Sequence, residues 1–413
     1  MSNRTSRERS ADIRAVDEAN QKIEDFDGFT NLFITPVWGE EFIREFLEMS
    51  LPNQLSAGNL GALLPASTAY CIATSESGKR EMEASAIFKT LLEHASVCFL
   101  VYDDVAISRA GHSYDLMHDM YNSSLALVKS EINCFFLSAD IFCSDGLFAR
   151  AIAAVSAGKK VVFVPTVRVA KESFNRFVLR NRIVSPSASE TVDLILNHEQ
   201  AMTKAGIVND ASGAIFSLSS HILYRMRNGY VGRWNVMHPL VVRVPATPPK
   251  IDQTVDWSYG ALGVSSRDEV EIFWDSDDGV VLTTAAESYI QGGSVVYNGT
   301  DRMRTRSLLR WLSYGWMLKI HLLQMDGIVC WHSGPIDQTE YAKGVAAVDR
   351  VWKPFRDLVS KYGFRSNLIE GACLADPAIS IANARWLRLR FDLLGLAKGA
   401  FRRIARKLAS RPS

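Results

Sequence analysis

Between residues 29 and 165 this sequence alternates short apolar runs with longer stretches of helical periodicity, and that alternation limits the folds open to it. Residues 32–35, 70–73, 97–102, 134–138 and 161–164 read as strands, bounded by polar punctuation. Between them, stretches such as 40–49 and 84–94 carry apolar residues at helical spacing. Strand and helix in alternation predict parallel βαβ units with helices on both faces of one sheet, a doubly wound α/β fold.

Past Arg168 the pattern changes. Short apolar runs at 241–244, 270–274 and 280–283 sit among turn residues, and 245–249 is a proline-rich break, which predicts an irregular, partly antiparallel extension. Residues 304–325 read as a long core helix. Between Arg385 and Arg411 there are nine Lys/Arg and one acidic residue, with Trp386, Leu389, Leu393, Leu396, Ala400, Ile404 and Leu408 at spacings of three and four. That is a basic amphipathic helix, suited either to the body of the protein or to an anionic membrane surface. The division expected is a flexible leader over 1–25, a catalytic domain over 26–300 and a helical region over 301–413.

Composition excludes more than it selects. A formal net charge of +1 over 413 residues gives no global argument for nucleic-acid binding. The six cysteines are scattered without a C-x-x-C pair, which predicts buried thiols in a reducing, cytoplasmic setting. The first residues lack the apolar core of a secretory signal, and no apolar run is long enough to cross a bilayer. P-loop, G-x-G-x-x-G, G-x-S-x-G and H-E-x-x-H patterns are absent, which disfavours NTPases, Rossmann dehydrogenases, serine hydrolases and zincins.

Chemistry should concentrate where strands leave the sheet. Asp140 follows the run Cys134-Phe135-Phe136-Leu137-Ser138-Ala139 and is placed to hold a divalent cation against a diphosphate, since hard cations take anionic oxygens. Thr35-Pro36-Val37-Trp38 forms a strand-to-helix turn offering backbone N–H groups and an aromatic ring, or simply a βα turn. Asp103 and Asp104 end another strand, as ribose or metal ligands or as a solvated cap. Asp145 is placed to cap the helix that follows. His238, held extended by Pro239, is a metal ligand, an acid/base or a core histidine. Asp275, Asp277 and Asp278 supply a base, metal ligands or a hairpin turn, with Asp256 a further acid.

Thr35-Pro36-Val37-Trp38-Gly39-Glu40, Tyr102-Asp103-Asp104 and Phe136-Leu137-Ser138-Ala139-Asp140 with Ser144-Asp145-Gly146 resemble the amino-terminal half of GT-A-fold glycosyltransferases, over residues 29–169. The resemblance implies a GT-A-like doubly wound mixed sheet with a helical C-terminal extension, and transfer of a sugar from a nucleotide-sugar donor to a glycan, lipid-linked or protein acceptor. It implies that Thr35, Pro36, Val37, Trp38, Asp103 and Asp104 hold the nucleoside. Asp140 would hold Mn²⁺ or Mg²⁺, and Asp145, His238 and Asp277 would act near the acceptor. The family's Asp-x-Asp motif is incomplete here, with Ser138 in place of the first acid. Two alternatives stand beside this reading: a sugar-nucleotide nucleotidyltransferase, and a non-catalytic scaffold of the same fold.

Overall fold

The computed structural model describes residues 25–108, 113–216, 219–251, 255–261, 263–290, 296–312, 324 and 327–362. Its strands in chain order are β1 (Asn31–Pro36), β2 (Thr68–Ser75), β3 (Ser96–Tyr102), β4 (Ile132–Phe136), β5 (Ile141–Cys143), β6 (Val161–Val164), β7 (Thr166–Ala170), β8 (Ala214–Phe216), β9 (His221–Met226), β10 (Gly229–Trp234), β11 (His238–Val244), β12 (Val270–Ile272), β13 (Val281–Ala285), β14 (Val296–Asn298) and β15 (Val329–His332). Seven of them form one mostly parallel sheet in the order β12-β6-β11-β4-β1-β2-β3. β11 runs antiparallel to both of its neighbours, β4 and β6. Three small sheets, β15-β10-β9, β5-β13-β7 and β14-β8, complete the strand pairing among the described residues.

Both faces of the large sheet are covered, and for that reason its strands read as continuous apolar runs in the sequence. On one face Phe33 stacks on Phe135 with ring centroids 4.3 Å apart, and Phe148 of the helix Leu147–Ser156 closes over them at 5.3 Å. On the other face Leu32, Ile34, Cys71, Cys134 and Phe136 meet Met120 and Tyr121 of the helix Ser113–Leu125. Alternate residues of one strand thus feed two cores. Each fully buried phenylalanine contributes about 1.5–3 kcal/mol of transfer free energy.

The doubly wound α/β expectation matches this mixed sheet. Several local expectations shift. β4 ends at Phe136, two residues short of the expected limit, because Ser138 to Ile141 close a turn through Ile141 N–H to Ser138 O at 3.3 Å. β9 and β10 form a hairpin that the apolar runs past Arg168 did not announce. The helix Gln338–Tyr362 packs Val348, Val351, Trp352 and Phe355 against that hairpin's Tyr224 and Val231. Of the expected long helix, Asp301–Leu312 is helical, and residues 313–323 and 325 lie outside the described part. The leader to residue 24 and the basic amphipathic segment also lie outside it. The cysteines that are described (Cys71, Cys98, Cys134, Cys143 and Cys330) are free and buried, and no described helix is long and apolar enough to cross a membrane.

Asp145 does not cap the helix after β5. The N-cap is Gly146, in the left-handed region at φ 86° with no side-chain cap, one residue later than expected. The Asp145 carboxylate instead accepts from Gly58 N–H at 2.7 Å, Ser56 Oγ at 2.8 Å and Gly146 N–H at 3.1 Å, and so pins a loop some ninety residues away in sequence. These donors outweigh the burial that would raise the carboxyl and hold it below the usual carboxylate range. Gly58 is required for the approach, since a Cβ there would lie 2.5 Å from Gly146 N and 2.7 Å from Asp145 Oδ1. Gly58→Ala is expected to cost about 1–3 kcal/mol, as overpacking does, measured as a lower urea midpoint with an unchanged slope. An unchanged midpoint would show that the loop moves aside freely.

Candidate functional site

In an open α/β sheet a ligand crevice forms where successive connections leave in opposite directions. Here the chain steps from β1 to β2 to β3 on one side and then returns to lay β4 on the other side of β1. The switch point therefore falls between the carboxyl ends of β1 and β4. The reversed β11 adds its amino end to the same edge, and so puts His238 beside the last residue of β4.

Two clefts open along this edge. The first, about 430 Å³, lies past β1, β2 and β3 and is lined by Gly39, Glu40, Ser75, Ser77, Glu81 and Asp104 among others. Asp104 accepts from Ser77 Oγ at 2.6 Å and from Ser77 N–H at 3.3 Å. It therefore sits at the start of the helix Glu76–Ala84, and the Ser77 hydrogen bond lowers its pKa. A carboxylate already holds the place where that helix would receive a phosphate. With Glu40 and Glu81 alongside, this cleft suits hydroxyl groups better than anions.

The second cleft, about 240 Å³, gathers Asp140, Arg168, His238 and Asp256, with Tyr114, Tyr121, Ser138 and His221 in its wall. Burial raises the Asp140 carboxyl; the Ser138 hydroxyl and Arg168 oppose the shift, and the charge of Glu45 adds to it. Behind it, Asp140 O accepts from Thr284 N–H at 3.0 Å. The Thr284 hydroxyl donates to buried Glu45, which Lys171 Nζ meets at 2.6 Å. β7 presents Thr166 and Arg168 to the partly exposed side while Val167 and Val169 are buried, the period of two expected of a strand.

His238 has no free ring nitrogen. Nδ1 lies 2.7 Å from Asp256 Oδ1 and Nε2 lies 2.7 Å from the carbonyl oxygen of Phe136. Both partners are acceptors, an arrangement that favours the doubly protonated ring. Burial alone would lower its pKa, but Asp256 and the Phe136 carbonyl outweigh it and raise it. The expected part as a metal ligand or base has no nitrogen to act through; its role is to bind Asp256 to the end of β4. His221, in contrast, is pushed down to about 4 by burial with Arg168 adding, and is neutral.

The remaining sequence candidates are dispersed. Thr35 is fully buried with its hydroxyl on Tyr70 at 2.8 Å, and Val37 is likewise core, so neither side chain faces a ligand. Pro36 is buried as well, and Trp38 is half-buried against the core. Asp103 is exposed and accepts from Val105 N–H at 2.8 Å, a local turn. Asp145 is the loop anchor described above and lines neither cleft. Asp277 is exposed in a short turn that Asp275 caps by accepting its N–H at 2.9 Å. Asp275, Asp277 and His332 offer ligand atoms within 4.8 Å of one another, an arrangement compatible with a divalent metal. Among the described residues no such group includes Asp140.

Arg168 and Tyr114 were not singled out from the sequence. The signal for Arg168 was present: one cation alternating with valines in Thr166-Val167-Arg168-Val169, directly after a buried strand.

No protein-family model matches the sequence, and no curated protein matches it. Among solved structures, similarity is found to S. aureus TarS (11% identity, TM-score 0.29, covering 83% of this chain and 48% of that one). It is also found to the apo form of mouse xyloside xylosyltransferase 1 (12% identity, TM-score 0.22, covering 37% of this chain and 58% of that one). This chain spans about half the length of each, and scores of this size carry no argument about its activity.

The His238–Asp256 pair has a pH signature. A histidine whose folded pKa is raised contributes stability that is fully present below its unfolded value of 6.5 and is lost as pH rises through the folded value. Asp256→Asn keeps a hydrogen-bond acceptor but removes the charge. The melting-temperature gap between wild type and Asp256→Asn is expected to be largest at mildly acidic pH and to narrow toward alkaline pH. A gap independent of pH would mean that the ring is neutral.

Proposed function

We propose that this protein is a glycosyltransferase that moves a sugar from a nucleotide-sugar donor to a hydroxyl of a glycan, lipid-linked or protein acceptor. One observation carries the reading. At the switch point of the sheet, the carboxylate of Asp140 and the guanidinium of Arg168 line the second cleft, while the first cleft on the same edge is acidic and rich in hydroxyl partners.

In this reading the acidic cleft takes the nucleoside, with Asp104 and its neighbours accepting from ribose hydroxyls and Asp103 and Trp38 at its margin. The diphosphate extends toward Arg168. Asp140 faces the reacting carbon and takes the proton of the acceptor hydroxyl as its oxygen bonds to the sugar, while the bond to the diphosphate breaks and its electron pair leaves with the nucleotide. A carboxyl raised by burial is closer to the operating pH, where a general base works best. The Asp256–His238 pair lies in the same wall and keeps the end of β4 in place.

Donor class is read by thermal shift with UDP-, GDP- and CMP-linked sugars. At a hundred-fold excess over Kd, a ligand adds about 2.7 kcal/mol to native stability. Asp140→Asn is expected to keep the shift and to lower donor turnover by about 10²-fold or more, the contribution of a general base. Absence of a shift with every nucleotide class would overturn the transferase reading. A shift in the wild type without turnover would favour the scaffold reading, for which Ser138 in place of an acid is the supporting observation.

A further inference from the structure

Arg168 is half-buried in the wall of the second cleft, yet among the described residues no carboxylate lies within ion-pairing distance of its guanidinium, and none of its recorded hydrogen bonds involves the side chain. Its backbone is fixed on both sides. The N–H donates to Thr203 Oγ1 at 3.0 Å, the carbonyl accepts from the same hydroxyl at 2.8 Å, and β7 pairs in register with β13. A guanidinium in a cleft has five donors in a planar fork, and leaving them without a partner is costly unless a ligand or water supplies one. Carboxylates and phosphates match that fork with two parallel bonds.

The groups that would assemble a divalent-cation site beside it are otherwise engaged. Ser138, at the place of the missing acid, offers a neutral hydroxyl that lowers the pKa of the Asp140 carboxyl and adds no second anionic ligand. Both nitrogens of His238 are taken, and Asp256 is tied to that ring. A hard cation needs several oxygen ligands; Asp256 is already paired with the ring, which leaves Asp140 as the one unpaired carboxyl among the described residues lining this cleft, with a guanidinium beside it. The residues of this cleft therefore do not fit a metal. The acid and histidine group that does converge, Asp275, Asp277 and His332, is built on other elements and lines neither cleft.

We infer that the cleft receives the diphosphate of its ligand directly on Arg168, without a divalent metal. The inference rests on the transferase reading only for the identity of the ligand; the anion site stands on its own residues. It also accounts for the incomplete acidic motif, because a second carboxylate at position 138 would repel the phosphate that Arg168 attracts.

The test is calorimetric titration of the full chain with inorganic pyrophosphate, in EDTA and in Mg²⁺. Binding in EDTA is expected, with affinity in Mg²⁺ no better than in EDTA. Arg168→Gln is expected to weaken binding about ten-fold or more, and Arg168→Lys to fall between, since a lysine keeps charge but not the fork. Because the Arg168 side chain makes no hydrogen bond or ion pair to the described residues, both variants should melt close to the wild type. If Arg168→Gln is misfolded, the lysine variant and the EDTA comparison on wild type still decide. Binding that requires Mg²⁺, equal binding by Arg168→Gln, or no pyrophosphate binding in either buffer would overturn the inference. The same titrations with a nucleotide sugar separate the two readings. Metal-free pyrophosphate binding with no nucleotide-sugar binding refutes the transferase and leaves the anion site. Nucleotide-sugar binding only in Mg²⁺ refutes the anion site and leaves the transferase.

Discussion

The second cleft depends on the reversal of one strand. β11 lies between β4 and β6 and runs against both, so its first residue rather than its last comes to the edge where β4 and β6 end. A parallel strand in that slot would put its carboxyl end there and carry His238 to the opposite edge. With the reversal, His238 donates to Phe136 O at the point where β4 stops, satisfying a carbonyl that the ladder no longer reaches, and draws Asp256 in behind it. A backbone requirement of sheet termination and the charge arrangement of the cleft are met by the same ring. The bulge between Pro239 and Val241 in the pairing with β6 fits this placement, since bulges re-aim side chains where pairing ends.

What was legible in the sequence follows from what is local. The strands of the first half are buried on both faces, so they appear as apolar runs, and the intervening helices show one apolar stripe each. β1, β2, β3 and β6 lie within two residues of their expected limits. Strand direction is not local. Val241 to Val244 reads the same whether it is parallel or antiparallel, and only the length and path of the connection decide. Asp145 illustrates the same limit. An acid before a helix is a sound capping signal, yet a loop at Ser56 and Gly58 offers two donors, and the carboxylate turns to them while Gly146 opens the helix. Thr35 and Val37 stood in a promising turn, but their positions still belong to the buried part of β1 and its exit.

The two clefts divide ligand chemistry by charge. Glu40, Glu81 and Asp104 make the one beyond β1 to β3 acidic, and the start of the helix Glu76–Ala84 that would otherwise attract a phosphate is already answered by Asp104. The other sets Arg168 and His238 beside Asp140 and Asp256, with no carboxylate within ion-pairing distance of Arg168 among the described residues. On the proposed reading, a ligand with a hydroxyl-rich end and an anionic end would take one orientation along this sheet edge. The reverse orientation would set phosphate against three carboxylates and leave the guanidinium unanswered, and like-charge placement of that kind costs several kcal/mol.

Rigidity behind the cleft makes that selection effective. Asp140 leaves β4 in a turn, a setting in which a side chain would ordinarily sample several positions. Its carbonyl is held by Thr284 of β13, and the Thr284 hydroxyl is held in turn by Glu45 at the end of the helix after β1. Glu45 is buried and would be costly without partners; Lys171, Asn175 and Thr284 supply them. The backbone of Asp140 is thus tied to β13 and, through Thr284, to the helix after β1, and the backbone of Arg168 to the same β13 through strand pairing. The backbones of Asp140 and Arg168 keep their separation because both are fastened to one strand, so the two side chains enter the cleft from fixed points.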